Sequence, residues 1–238
     1  MGSGNARLMK KHDFPGRLSV VEGIDGSGKS TQLKLLYRHL ATLDYTVFLS
    51  EWNSSPLVKS TTSLGKKKKL LTPTSFSLIH ATDFADRCVN HIEPLLKAGV
   101  IVLADRYAFT AFARDAARGV DRDWVRNIYE FACLPDAAFY FKVPLAVSVD
   151  RILTGRQKLK YYEAGMAVGL SSNPVEIFKL FQKRILEEYD LMTGEFGFTV
   201  MDGSLPIEEQ QERMRASVHD MLAGFAGLRK GPHQEALR

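Results

Sequence analysis

The chain has 238 residues, of which 45% are hydrophobic, 25% charged and 10% aromatic, with a formal net charge of +5. That length and balance suit one large globular domain, or a domain with a mobile subdomain, and exclude a disordered or collagen-like chain. No apolar run approaches the roughly 18 residues of a membrane helix, the opening residues lack a signal-peptide core, and Cys88 and Cys133 have no metal-type spacing.

These features predict a cytoplasmic protein with reduced thiols and no membrane partner. The positive excess forms no long stripe interleaved with aromatics, which argues against nucleic acid and leaves anionic small molecules as partners.

Residues 1–16 open Gly-, Ser- and Lys-rich and read as a flexible arm, 17–228 as the folded domain, and 229–238 as a frayed tail. Leu18 to Gly23 is a predicted strand. Lys29 to Leu43 is a helix with Leu33, Leu36, Tyr37 and Leu40 on one face. Thr46 to Ser50 is a second strand. Glu51 to Pro73 is polar and Lys-rich and reads mostly as loop or short helix, with Lys66 to Lys69 forming either a solvated face or a phosphate contact. Thr74 to Lys97 is helical and stops before Gly99. Val100 to Ala104 is the apolar run of a strand buried on both faces.

Helices follow at Thr110 to Arg118 and Arg122 to Ala132, then a strand at Ala138 to Phe141 and a helix from Pro144 to Leu153. Residues 154–172 are rich in Gly and cations without a period. Asn173-Pro174-Val175-Glu176 is a helix start, with an Asn cap, Pro just inside and Glu at the third position. Phe178, Phe181, Ile185 and Tyr189 share a face of that helix. A strand at Phe198 to Met201 and a helix at Pro206 to Phe225 close the chain. Strands separated by helices imply an α/β fold with a parallel sheet, whose ligands sit beyond the strands' carboxyl ends, here near Gly23 and Asp105.

Gly23-Ile24-Asp25-Gly26-Ser27-Gly28-Lys29-Ser30 fits the P-loop pattern in full, between an apolar strand and an amphipathic helix. Its glycines let backbone N–H groups converge on phosphate oxygens, and the helix that follows adds its free N–H groups and dipole. Lys29 can reach the β- and γ-phosphates of ATP, and Ser30 can ligate Mg²⁺. Asp105, at the end of an apolar strand, has the Walker-B layout for Mg²⁺, with Arg106 beside it to offset phosphoryl charge. The alternative is that Asp105 caps a turn and Arg106 is a surface ion-pair partner. Arg156, Lys158 and Lys160, punctuated by Gly155, Gly165 and Gly169 as candidate hinges, read either as a cationic lid over bound phosphates or as a solvated loop.

From Leu18 to Ile207 the sequence resembles the thymidylate kinase family of nucleoside monophosphate kinases. Val21 to Gln32 (VEGIDGSGKSTQ) matches the family's opening almost letter for letter. Asp105-Arg106-Tyr107, Leu134-Pro135-Asp136, Asp150-Arg151-Ile152 and Met201-Asp202 follow in the family's order. The resemblance implies a P-loop NTPase fold, phosphoryl transfer from ATP with Mg²⁺ to a small phosphorylated acceptor, dTMP first among them, and a homodimer as an option.

It also implies a nucleotide cradle of Gly23, Ile24, Asp25, Gly26, Ser27, Gly28, Lys29, Ser30 and Thr31, with Ser30 and Asp105 on the metal. Lys29, Arg106 and Arg156 would be catalytic, the last because Ser27 stands where some members carry a P-loop Arg. Asp25, Glu51, Arg87, Arg106, Tyr107 and Thr110 would face the acceptor.

The acceptor side departs from the family. Ser50-Glu51-Trp52-Asn53-Ser54-Ser55 replaces Arg-Glu-Pro-Gly-Gly-Thr, so the Arg expected on the acceptor phosphate is missing. Asp83 stands in place of a Phe, and the later Ser, Tyr and Gln positions read Thr110, Arg114 and Asp115. Two other readings therefore stay open: a P-loop kinase for another nucleotide or polyphosphate, and a nucleotide-binding regulatory module without turnover.

Overall fold

The computed structural model describes residues 9–155 and 159–229. In chain order the strands are Lys10–Lys11 (β1), Arg17–Glu22 (β2), Val47–Glu51 (β3), Ile101–Asp105 (β4), Cys133–Leu134 (β5), Ala137–Lys142 (β6) and Thr199–Asp202 (β7). The α-helices are Lys29–Thr42 (α1), Pro56–Lys68 (α2), Pro73–Arg87 (α3), Glu93–Lys97 (α4), Ala108–Ala117 (α5), Arg122–Ile128 (α6), Leu145–Gly155 (α7), Pro174–Phe196 (α8) and Ile207–Met221 (α9).

The main sheet is parallel, in the order β3-β4-β2-β6-β7. Alternate residues of each strand serve opposite layers. Leu18, Val20, Val102, Ala104 and Tyr140 pack with residues of α3, α5 and α8, and Val21, Ile101, Leu103, Phe139 and Phe141 with residues of α1 and α9. The sheet is thus covered on both faces, as the α/β pattern implies. Central β2 has β4 on one side and β6 on the other, so the crevice beyond its carboxyl end lies where strand order reverses.

Four local expectations are refined. The stretch read as loop or short helix after β3 contains α2, a 13-residue helix with Ser55 as its cap, accepting from the Leu57 N–H at 3.2 Å. Its β-branched residues and Gly65 argue against a helix on propensity. Packing overrides this, because a Cβ at Gly65 would sit 2.7 Å from a Leu71 methyl. The lysine run is therefore not loop. Lys66 to Lys68 fill the last helical turn, where cations complement the dipole, and Lys69 caps it with φ +55°.

The helix from residue 74 to 97 is one continuous run with a π-turn at Cys88–Ile92 between α3 and α4. Within the expected arm, Met9 is buried and β1 pairs with β5, while residues 1–8 lie outside the described residues. Gly165, a candidate hinge, lies against the Phe181 ring with φ +74°, where a Cβ would stand 2.3 Å from Cγ. Its missing side chain is what allows this close approach. Among the described residues no helix is long and apolar enough to cross a membrane.

The start of α8 follows its sequence reading in one respect and not another. Asn173 Oδ1 accepts from the N–H groups of Val175 at 2.9 Å and Glu176 at 3.2 Å. Glu176 does not reach back to Asn173; its carboxylate takes the Ser171 hydroxyl, which in turn accepts from the Asn173 N–H. Phe178, Phe181, Ile185 and Tyr189 are all buried, as their spacing requires. Asn173→Ala should lower unfolding free energy by about 1 kcal/mol. A denaturant titration with an unshifted midpoint would show that the cap carries no stability.

Candidate active site

The turn between β2 and α1 is shaped by close contacts. Gly23 (φ +138°) lies so near β6 that a Cβ would fall 2.6 Å from the Phe141 carbonyl oxygen, and Gly26 (φ +77°) so near α7 that one would fall 2.9 Å from the Ser148 carbonyl oxygen. Gly28, left-handed at φ +88°, opens α1 with no side-chain cap, so the first N–H groups of the helix face the turn without intrahelical partners.

Ser27 Oγ is buried without a hydrogen-bond partner. Lys29 Nζ is buried and reaches the Ile24 carbonyl oxygen at 3.3 Å. Burial, then the Arg106 charge, lowers the Lys29 pKa to about 7, against the opposing pull of Asp25 and Asp105. A cradle of bare N–H groups, an orphan hydroxyl and a buried amine under strain from another cation fits the phosphates of ATP. Ser30 lies in the first turn of α1 and Asp105 at the end of β4.

Asp25 joins this turn to the next site. Its Oδ1 accepts from Arg106 Nη2 at 2.5 Å and Arg114 Nη2 at 2.8 Å. Arg106 holds a left-handed φ of +74°, costly for a residue with a Cβ, and its Nη1 also donates to the Gly23 carbonyl oxygen at 3.3 Å. Burial opposes the Arg106 charge, but Asp25 leads the groups that raise its pKa overall.

Beneath lies Glu22, fully buried, whose pKa burial raises. It accepts from the Tyr107 N–H at 2.7 Å, Thr110 Oγ1 at 2.6 Å and the Tyr189 hydroxyl at 2.7 Å. The strand end, the start of α5 and α8 are locked together through it.

Beyond Asp25 opens a cavity of about 460 Å³. Its described lining has five cationic side chains, Lys66, Arg106, Arg114, Arg118 and Lys160, against three carboxylates, Asp25, Asp115 and Glu163. The surplus of two suits a dianionic phosphate. Trp52, Phe76, His80, Tyr161 and Tyr162 supply flat walls. Residues 159–172 close one side: the Tyr162 hydroxyl accepts from the Leu71 N–H at 3.0 Å and lies 3.3 Å from the Leu71 carbonyl oxygen. A smaller cavity, of about 360 Å³, lies on the other flank of the phosphate turn, lined by Gly26, Gly28, Thr31 and Arg151 among others. Arg151 Nη1 donates to the carbonyl oxygens of Gly26 and Gly203, both at 3.1 Å.

The structure brings together Gly23 to Thr31, Asp105, Arg106 and Thr110. It carries three expected acceptor residues elsewhere. Tyr107 is buried in the core, its hydroxyl donating to the Cys133 carbonyl oxygen at 3.0 Å. Arg87 is buried with Nη2 on Ser50 Oγ at 2.7 Å and its guanidinium 5.7 Å from the Trp52 ring centre. Glu51 is exposed and lines a separate groove along β3. Arg156 and Lys158 lie outside the described residues.

Sequence reasoning assigned no role to Glu22 or Arg118, named Arg114 only as a departure from the family's acceptor pattern, and left Lys66 in a run read as a solvated face or a phosphate contact. Signals existed for most of them. Glu22 is a charge in a strand read as buried, and Thr110, Arg114 and Arg118 recur every four residues along one helical face.

A family model described as thymidylate kinase matches residues 21–214. A probable thymidylate kinase 2 of Saccharolobus solfataricus is 44% identical over 202 residues, covering 84% of this chain and 94% of the relative. A probable thymidylate kinase of Thermococcus kodakarensis is 34% identical, covering 60% and 74% respectively. One from Pyrobaculum aerophilum is 29% identical, covering 80% and 90%.

Asp25→Ala would leave Arg106 and Arg114 facing each other with their shared carboxylate gone. Thermal unfolding should report a loss of about 3 kcal/mol, partly restored by inorganic phosphate. A variant as stable as the parent would show that the pair adds nothing to the fold.

Proposed function

The chain belongs to the thymidylate kinase family, and we propose that it transfers the γ-phosphoryl group of ATP to the phosphate of dTMP, giving dTDP and ADP. One observation carries this reading: Arg106 bonds the phosphate turn at Gly23 and Asp25 while lining the large cavity, so two phosphates can meet at a single guanidinium. The donor triphosphate would lie on the turn from Gly23 to Thr31, its nucleoside toward the cavity at Arg151, and the acceptor in the cavity beyond Asp25.

An acceptor phosphate oxygen forms a bond to the γ-phosphorus as the bond to the ADP oxygen breaks, and the electron pair leaves with ADP. With a second phosphate pKa of roughly 6, the acceptor arrives already ionised at neutral pH and needs no general base. The residues therefore position groups and offset charge. Lys29 meets the donor's β- and γ-oxygens. Arg106 offsets charge on the transferred group, and Arg114 draws in the acceptor phosphate. Arg156 is the proposed lid cation on the γ-phosphoryl.

Mg²⁺ bound with ATP would be held by Ser30 and Asp105 and would neutralise phosphate charge. Among the described residues no cluster of three or more His, Cys, Asp or Glu could hold a metal unaided, which fits an ion that takes most of its ligands from phosphate and water. The polyphosphate and non-catalytic readings draw no support from the relatives. A homodimer and a cytoplasmic location remain parts of the proposal.

ADP release should rise with dTMP, and no stimulation by any nucleotide acceptor would end the reading. Lys29→Ala should lower turnover by orders of magnitude with the fold retained, and Arg156→Ala should lower kcat more than ATP affinity. Lys29 also predicts a pH effect. Its amine titrates near pH 7 when free, and bound phosphates favour the charged form. Above pH 7, ATP binding should take up a proton and weaken as pH rises. Calorimetry in buffers of different ionisation enthalpy should detect the uptake in the parent and not in Lys29→Met.

A further inference from the structure

The wall of the large cavity away from the phosphate turn carries groups for which phosphoryl transfer has no use. Lys66, in the last turn of α2, lies there with Nζ 3.3 Å from His80 Nε2 and 5.4 Å from the Phe76 ring centre. His80 Nδ1 is 2.9 Å from the Phe76 carbonyl oxygen. These two contacts define the tautomer: Nδ1–H donates to the carbonyl, and the Nε2 lone pair accepts from the lysine. Burial, reinforced by the Lys66 charge, lowers the His80 pKa to about 3, so the ring stays neutral. Burial lowers Lys66 only to about 8, which leaves it charged at neutral pH. An ammonium has three donors, and the histidine takes one.

The surroundings suit a flat ring. Phe76 stacks on His80 with centroids 4.1 Å apart and on Tyr162 at 5.5 Å, while Trp52 stacks on His80 at 6.2 Å. Arg118 is engaged by the protein itself, donating to the carbonyl oxygens of Arg114 and Tyr162. Arg114 Nη2 donates to Asp25 at 2.8 Å, and Arg118, four residues further along, lies 4.1 Å from the centre of the Phe76 ring that Lys66 also approaches. An acceptor with its phosphate at Arg106 and Arg114 would therefore project its base toward Lys66.

We propose that Lys66, positioned by His80, reads the acceptor base by donating to a ring carbonyl oxygen. The site would thereby select bases with a keto edge, thymine, uracil or guanine, over cytosine and adenine, which present an exocyclic amine there. An amine aimed at an ammonium sets donor against donor and leaves both groups without a partner. Lys66 thus takes an acceptor-facing role of the kind the resemblance implied for Arg87, whose guanidinium is buried on Ser50 and beside Trp52. The inference rests on the nucleoside monophosphate reading.

The test measures kcat/KM with ATP for dTMP, dUMP, dGMP, dCMP and dAMP on the full chain and on Lys66→Met, Lys66→Gln and His80→Phe, with ATP affinity in parallel. The parent should prefer dTMP to dCMP. Lys66→Met should lose roughly 10- to 100-fold of that preference while binding ATP normally. Lys66→Gln, whose amide both donates and accepts, should retain part of its dTMP use and gain on dCMP. His80→Phe, which retains the ring stack and removes the acceptor nitrogen, should raise KM for dTMP more than it lowers kcat. An unchanged dTMP/dCMP ratio in Lys66→Met, or equal use of both by the parent, overturns Lys66 as the base reader and leaves the kinase reading intact. A parent that turns over no nucleotide removes both.

Discussion

The site is organised around one shared charge, the Asp25 carboxylate between Arg106 and Arg114. Like-charged guanidiniums this close and this poorly hydrated would repel, and the carboxylate lets both stay in place. The arrangement ties the phosphate turn after β2 to the start of α5. It also explains the left-handed backbone at Arg106, a strain sustained because the guanidinium is bonded at both ends.

Glu22 plays the matching part underneath. A fully buried acid with three donors on it is stable only if all three stay aligned. Those donors come from the start of α5, its first turn and the middle of α8, so the carboxylate sets how the acceptor wall sits relative to the sheet. The cavity is then closed from the far side by aromatic packing. Phe76 lies between His80, Tyr162 and the Arg118 guanidinium, 4.1 Å from its ring centre, and Tyr162 clasps the backbone at Leu71.

The acceptor side shows why resemblance carries some residues further than others. Arg87 keeps its letter, yet Asp83 beside it changes its use. The Asp83 carboxylate accepts from the N–H groups of Asn53 and Ser55, drawing the loop after β3 over the helix, and Trp52 then covers the guanidinium. The lysine run illustrates the converse. Read as a solvated face or a phosphate contact, it ends α2 and places Lys66 in the cavity lining beside His80.

The amino-acid order alone determined the phosphate turn, the strand ending in Asp105, the α/β class and the buried face of α8. Each depends on spacing within a few residues: glycines that admit positive φ, apolar alternation, a cap before a helix. Tertiary structure decided which cations face the acceptor, because that depends on where helices distant in sequence come to rest. Lys66 and His80 meet only after α2 folds against α3, with Gly65 fitted to Leu71, and Arg114 reaches Asp25 only because Glu22 fixes the start of α5. Local pattern encodes backbone conformation, whereas a side chain's partner is set by packing across the whole domain.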